Sequence, residues 1–219
     1  MASEPLQLGP KAVCYVTVDV VGFSRDRTVP AQVEIVQRLN AIVGEAVESC
    51  GLTADVHYRP SGDEICICIT LANPTNEDLR LAMKILELTH ERAASEPSAE
   101  LRFALRIGIN QNTDNVVKDI NGVLDFLGGG INHCHEVMRI AGAQQIVVSQ
   151  TAWDRLHGWG YPVPGILWTL STTIFKHGDA RTPYQFRADP PLQYLSNEDP
   201  PVPSDPSRTA RTSPGGPSR

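Results

Sequence analysis

Two aspartates carry most of the chemistry legible in this chain. Asp19 stands near the exit of an alternating apolar stretch, and Asp63 closes the segment Arg59-Pro60-Ser61-Gly62-Asp63, 44 residues further on. Two carboxylates brought to one strand edge repel unless a cation lies between them, and oxygen ligands of this kind suit Mg²⁺ or Mn²⁺. Beside Asp19, Val20-Val21-Gly22-Phe23-Ser24 reads as a tight turn whose backbone amides can face phosphate oxygens. The plain alternative is that Asp19 caps the turn and Asp63 is an ordinary hairpin residue. Spacing alone leaves both open.

The elements decide whether the two acids meet. Lys11 to Val20 alternates as a strand, and Pro30 to Cys50 places Val33, Val36, Leu39, Val43 and Ala46 on one helical face with Gly51 just past its end. Leu52 to Tyr58 and Glu64 to Leu71 read as strands joined by the Arg59–Asp63 hairpin. A second helix is expected from Thr75, with Asp78 three residues on as a variant capping box and Leu79, Ala82, Met83 and Leu86 as its apolar face. Leu101 to Ile109 alternates again. The order β-α-β-β-α-β predicts an α+β, ferredoxin-like (βαββαβ) palm-type sheet. In such a sheet the third strand lies between the first two and runs antiparallel to both, so the end of the first strand meets the hairpin opening the third. After it the sequence predicts a loop, a helix over Ile131 to Ala141, a strand Gln145 to Ser149, a helical turn near Trp153, and a closing segment through Arg187.

Composition narrows the function classes. The 219 residues carry 25 acidic against 19 basic side chains, a net charge of −6 without the clustered basic excess of a nucleic-acid binder. No apolar stretch is long enough to span a membrane, and the amino terminus has no charged start followed by an apolar run, so a cytoplasmic protein is expected. The five cysteines read as reduced thiols, with Cys66 and Cys68 as small fillers on one strand face. His133-Cys134-His135 lacks a second ligand pair at zinc spacing. From Asp189 onward eight prolines among 31 residues, with few large apolar groups, predict a disordered tail over 189–219 and a folded domain over 8–188.

Several short stretches taken together resemble the catalytic domain of class III nucleotidyl cyclases. Val18-Asp19-Val20-Val21-Gly22-Phe23-Ser24 is similar to the D-[IV]-x-G-F-[ST] motif, and Ser61-Gly62-Asp63-Glu64 to the G-D-[ER] hairpin. Leu105-Arg106-Ile107-Gly108-Ile109-Asn110 resembles the R-[VI]-G-[IL]-[HN] strand. Asp125-Phe126-Leu127-Gly128 with Gly130-Ile131-Asn132 resembles D-x-x-G-x-x-V-N, and Lys176-His177-Gly178 the late K-G element. These fall in family order over roughly residues 12–187. The resemblance implies a homodimer with shared active sites, in which Asp19, Asp63 and the Val20 carbonyl hold two metals (Mg²⁺ or Mn²⁺). The partner copy supplies Arg59 and Asp125 at the base, Asn132 at the ribose or transition state, and Lys176 at the terminal phosphates. The implied reaction is attack of a nucleoside triphosphate's 3′-oxygen on its own α-phosphate. Two departures stand out. Glu136 occupies the position of the family's helix arginine, leaving Arg139 as the nearest replacement, and Gln111-Asn112-Thr113-Asp114-Asn115 lacks the usual glycine.

Arg59 stands where adenylate cyclases usually have lysine. Its rigid fork of donors, with a carboxylate, complements the two carbonyls and N3–H of uracil better than cytosine's exocyclic amine. Tyr58 either adds a stacking face or points into the sheet. The Tyr58-to-Glu64 hairpin and altered helix also resemble the pyrimidine cyclases of bacterial anti-phage Pycsar systems, implying UTP as substrate, cyclic UMP (or cyclic CMP from CTP) as product, and a separate effector. Arg59-Pro60-Ser61-Gly62-Asp63-Glu64 also resembles the diguanylate cyclase hairpin, but Val21 stands where that family's second acid belongs. A nucleotide-binding regulator that has lost catalysis is the alternative suggested by Glu136. Gly128-Gly129-Gly130 lacks the Lys-Ser/Thr of a phosphate-binding P-loop and is read as a flexible lead into a helix.

Overall fold

A computed structural model describes residues 8–174 and 180–201. The first half of the chain builds β1 (Gly9–Val20), α1 (Val29–Ser49), β2 (Val56–Ser61), β3 (Glu64–Ile69), α2 (Glu77–Ser95) and β4 (Leu105–Lys118). There follow β5 (Leu124–Leu127), α3 (Gly129–Met138), β6 (Gln145–Val148), α4 (Gln150–Trp159), β7 (Gly165–Thr169), the short pair β8 (Thr173–Ile174) and β9 (Ala180–Arg181), and β10 (Tyr184–Ala188). The main sheet has the order β2-β3-β1-β4-β6-β10-β7, with β5 pairing the outer half of β4. Its first four strands have the expected ferredoxin-like arrangement. β3 lies between β1 and β2 and is antiparallel to both.

Alternation along β1 sorts the molecule into two layers. Cys14, Val16, Val18 and Val20 face α1 and α2 and join the larger core, whereas Val13 and Tyr15 face the α3 side with Cys66, Cys68, Cys134 and Phe126. Both cysteines of β3 are thus small fillers of one face. Thr28 caps α1 by accepting from the Ala31 N–H, and Gly51 closes it at φ +72°. The buried stripe of α1 is Ala31, Ile35, Leu39, Ile42, Val43, Ala46 and Val47. Val33, expected in that face, is 53% exposed: the helix is rotated so that the isoleucines, with more area to bury, point inward.

Four other expectations are corrected. Thr75 and Asp78 do not form a capping box: Thr75 bonds Glu77, and buried Asp78 ion-pairs with Arg155 of α4. The loop expected after Asn110 is strand, because β4 runs on to Lys118 in register with the whole of β1. Its polar residues misled the reading; Asp114 is 3% exposed yet accepts from Tyr15 Oη (2.6 Å), Gly130 N (2.9 Å) and Asn112 Nδ2 (2.6 Å). The tail does not begin at Asp189. Residues 189–201 lie against the domain with Leu195 buried, and the side chains of Gln145 and Gln185 both donate to the Glu198 carbonyl. The helical turn near Trp153 is a ten-residue helix, α4, on which Trp153 stacks with Tyr184 at 5.0 Å.

Candidate functional site

Cross-strand register assembles the acidic end of the sheet. Ser61 pairs with Glu64, Glu64 with Asp19, and Asp19 with Arg106, one row whose side chains emerge on the α3 face. Asp63 is the turn residue just before β3, and its carbonyl accepts from the Val20 N–H at 3.2 Å, so the last residue of β1, with the Val20 carbonyl, stands directly beside the hairpin. The structure thus places Asp19, Val20 and Asp63 at one strand end. Asp19 is 8% exposed. Burial pushes its carboxyl above the usual range, the Arg106 guanidinium opposes that shift, and the charges of Asp63 and Glu64 reinforce it. Arg106 Nε donates to Asp19 Oδ2 at 2.7 Å.

Sequence reading missed Arg106 as a site residue, since only the β1–β4 register puts it opposite Asp19. It also missed the pair between His135 Nδ1 and Glu64 Oε1 at 2.6 Å, which docks α3 onto this row and holds the His135 pKa above its ordinary value. That contact joins residues 71 apart and has no local signal.

Gly22, Phe23 and Ser24 form the turn leaving β1, with Gly22 at φ +65°. Their backbone N–H groups find no acceptor among the described residues, so three donors remain open beside the acids. On α3, Asn132 and Arg139 are both exposed. Glu136, at the position of the family arginine, lies 4.0 Å from His133 one turn back. Arg139 caps the helix end, where a cation suits the dipole. Gly128, at the start of α3, and Gly130, in its first turn, are tightly packed: a Cβ on Gly130 would meet the Asp114 carboxylate at 2.4 Å, and one on Gly128 would overlap it. The flexible loop expected at Gly128-Gly129-Gly130 is thereby corrected.

Arg59 and Asp125 come together. Arg59 Nε lies 3.0 Å from Asp125 Oδ1, and Nη1 reaches the Phe126 carbonyl at 3.5 Å. By strand spacing Arg59 sits about 12 Å from Asp19, two strands and one pleat away on the same face. Tyr58 does not join them. It pairs with Ile67 of the opposite layer, near Glu48, so it offers no stacking face beside Arg59. Lys176 lies outside the described residues.

A divalent cation fits this chemistry. Asp19 and Asp63 supply carboxylates, the charge of Asp63 adding to the cost of ionising Asp19, Val20 adds a carbonyl, and a guanidinium already occupies the cation's place against Asp19. Among the described residues no group of three His, Cys, Asp or Glu side chains forms a metal cage, so bound ions would need substrate oxygens to complete their shells.

No family model and no curated protein matches the sequence. Solved structures do. The guanylate cyclase domain of RhGC from Catenaria anguillulae in complex with GTP aligns at TM-score 0.66 and 15% identity, covering 84% of this chain and 99% of that one. The adenylyl cyclase CyaB from P. aeruginosa aligns at TM-score 0.67 and 13% identity, over 87% and 100%. The adenylate/guanylate cyclase/hydrolase from Silicibacter pomeroyi aligns at 0.60 and 18%, over 81% and 96%. The fold is that of class III cyclase catalytic domains.

Proposed function

We propose that the chain is a nucleotidyl cyclase that closes a nucleoside triphosphate, UTP by preference, on itself. The 3′-hydroxyl loses its proton, its oxygen bonds to the α-phosphorus, and the bond to the β-phosphate bridge breaks, giving 3′,5′-cyclic UMP and pyrophosphate. The observation that carries this reading is the meeting of Asp19 and Asp63 at one strand end, beside the open amides of Gly22, Phe23 and Ser24.

Each residue then has a task. Asp19, Asp63 and the Val20 carbonyl would hold two divalent ions (Mg²⁺ or Mn²⁺), which when bound lower the pKa of the attacking hydroxyl and neutralise the leaving group. Arg106, paired with Asp19 here, would be placed to bind the triphosphate if cations held that carboxylate. The turn amides of Gly22 to Ser24 receive phosphate oxygens. Arg59 and Asp125 present a combined donor and acceptor edge to the uracil. Asn132 and Arg139 project from the exposed side of α3 towards a second copy, so each site of a homodimer draws on both chains, with Lys176 at the terminal phosphates. The cyclic product signals to a separate effector in anti-phage defence, as the resemblance to pyrimidine cyclases implies. No helix among the described residues is long and apolar enough to cross a membrane.

The test is incubation with Mn²⁺ and equimolar ATP, GTP, CTP and UTP, followed by mass identification of cyclic products. Cyclic UMP is expected. Cyclic CMP or a cyclic purine nucleotide alone overturns the base assignment, and a 3′,5′-linked guanosine dimer would favour a diguanylate cyclase. Nucleotide binding without pyrophosphate release would favour the regulator suggested by Glu136.

A further inference from the structure

The turn after β1 is held from behind by one side chain. Arg27 Nη1 donates to the carbonyls of Gly22 (2.8 Å) and Phe23 (3.1 Å), while Nε and Nη2 donate to the carbonyls of Glu100 (3.2 Å) and Arg102 (3.1 Å). One guanidinium thus ties the turn to the segment that leads into β4. The same segment is tied a second time, since Glu100 Oε1 accepts from both the N–H and the hydroxyl of Thr28. In a planar trans peptide the C=O of one residue and the N–H of the next point in opposite directions. Carbonyls of Gly22 and Phe23 turned towards Arg27 therefore turn the N–H groups of Phe23 and Ser24 away from it, and these are among the amides with no acceptor among the described residues. A positive charge on the carbonyl end also polarises each peptide and strengthens its N–H as a donor to an anion.

We propose that Arg27 is a positioning residue for phosphate, aiming and polarising the Phe23 and Ser24 amides through the peptide groups whose carbonyls it binds. This inference rests on the cyclase reading for the identity of the substrate. Only a guanidinium spans four carbonyls on two segments; an ammonium carries the charge without the fork.

The test is calorimetric titration of inorganic pyrophosphate with Mg²⁺ into the full chain and its Arg27→Gln, Arg27→Lys and Arg25→Gln variants, beside steady-state kinetics with UTP. Arg27→Gln should weaken pyrophosphate binding and raise KM for UTP by about tenfold, the loss of one charge-assisted contact network, with kcat and the UTP-to-CTP ratio little changed. Arg27→Lys should fall between it and the parent. Arg25→Gln, which removes an equal charge from the same turn, should shift binding less than about twofold. Unchanged pyrophosphate affinity in Arg27→Gln and Arg27→Lys overturns the inference, even if thermal stability falls, because a merely structural clamp would behave that way. An equal loss in Arg25→Gln overturns it too. Arg27-dependent pyrophosphate binding in a protein that makes no cyclic nucleotide overturns the cyclase reading and leaves Arg27's role standing.

Discussion

At the scale of single residues, the two acids have unequal structural ties, and that makes them separable by experiment. The Asp63 side chain is half-buried and makes no hydrogen bond or ion pair with another described residue, so Asp63→Ala should abolish cyclic product while shifting Tm by no more than about 2 °C, as for a surface change of ±0.5 kcal/mol. Asp19→Asn should abolish product as well, but it also strips Arg106 of its charged partner. With Arg106 partly exposed the cost is about 1 kcal/mol, or 2–4 °C in a domain of this size. Equal Tm changes in the two variants would contradict the observed pairing. His135 offers a pH signature. Its pKa is raised in the folded state, chiefly by the bond to Glu64, so the stabilisation is fully present below its unfolded pKa of about 6.5 and is lost as pH rises through the higher folded value. Differential calorimetry should show the parent's Tm advantage over His135→Gln at pH 6 shrinking towards pH 8.5; an advantage that grows with pH would refute the assignment. Asp19 and Asp63 were legible in the sequence because residue type and strand order sufficed. Arg106 and His135 were not, because cross-strand register and helix docking bring together residues with no shared local pattern.

At the scale of elements, α3 lies on the sheet at a distance set by small residues. A Cβ on Gly108 of β4 would come within 2.5 Å of the Met138 backbone nitrogen, so Gly108→Ala must push the helix outward. Overpacking of this kind costs about 1–3 kcal/mol, so Tm should fall by roughly 3–10 °C. Activity should drop as well, because α3 carries Asn132 and docks through His135. An unchanged melting curve would mean that α3 does not sit where it is described. The glycine in the Arg106-Ile107-Gly108 stretch thus has a packing reason that no reading of β4 alone supplies. The same holds for the outer half of β4, where Asn112 and Asp114 look like loop residues until Tyr15 and the start of α3 are seen to satisfy them. Alternating and helical periods exposed the central elements; polar residues bonded at long range concealed the rest.

At the scale of the whole molecule, the chain after β10 shows how composition can mislead. Proline richness predicted disorder from Asp189, yet Leu195 is 4% exposed, and Gln185 inside the sheet donates to the carbonyls of Ser196 and Glu198. A chain ending at Ala188 loses that apolar contact and leaves buried amides unpaired, so it should be destabilised by about 3 kcal/mol or more relative to one ending at Pro201. The last question at this scale is whether one copy makes a whole site. Within a single chain, His135 turns inward to Glu64 while Asn132, three residues earlier on α3, stays exposed. In the proposed cyclase, an Asn132 that touches ribose while facing away from its own core would do so in a neighbour's site. The expectation is complementation: Asp63→Ala and Asn132→Ala, each inactive alone, should regain about one quarter of parental activity when mixed in equal amounts and allowed to exchange. Half of the dimers would then be mixed, and each mixed dimer holds one site with both residues intact. Sites built within one chain would regain nothing, because every site in the mixture would still lack one of the two residues.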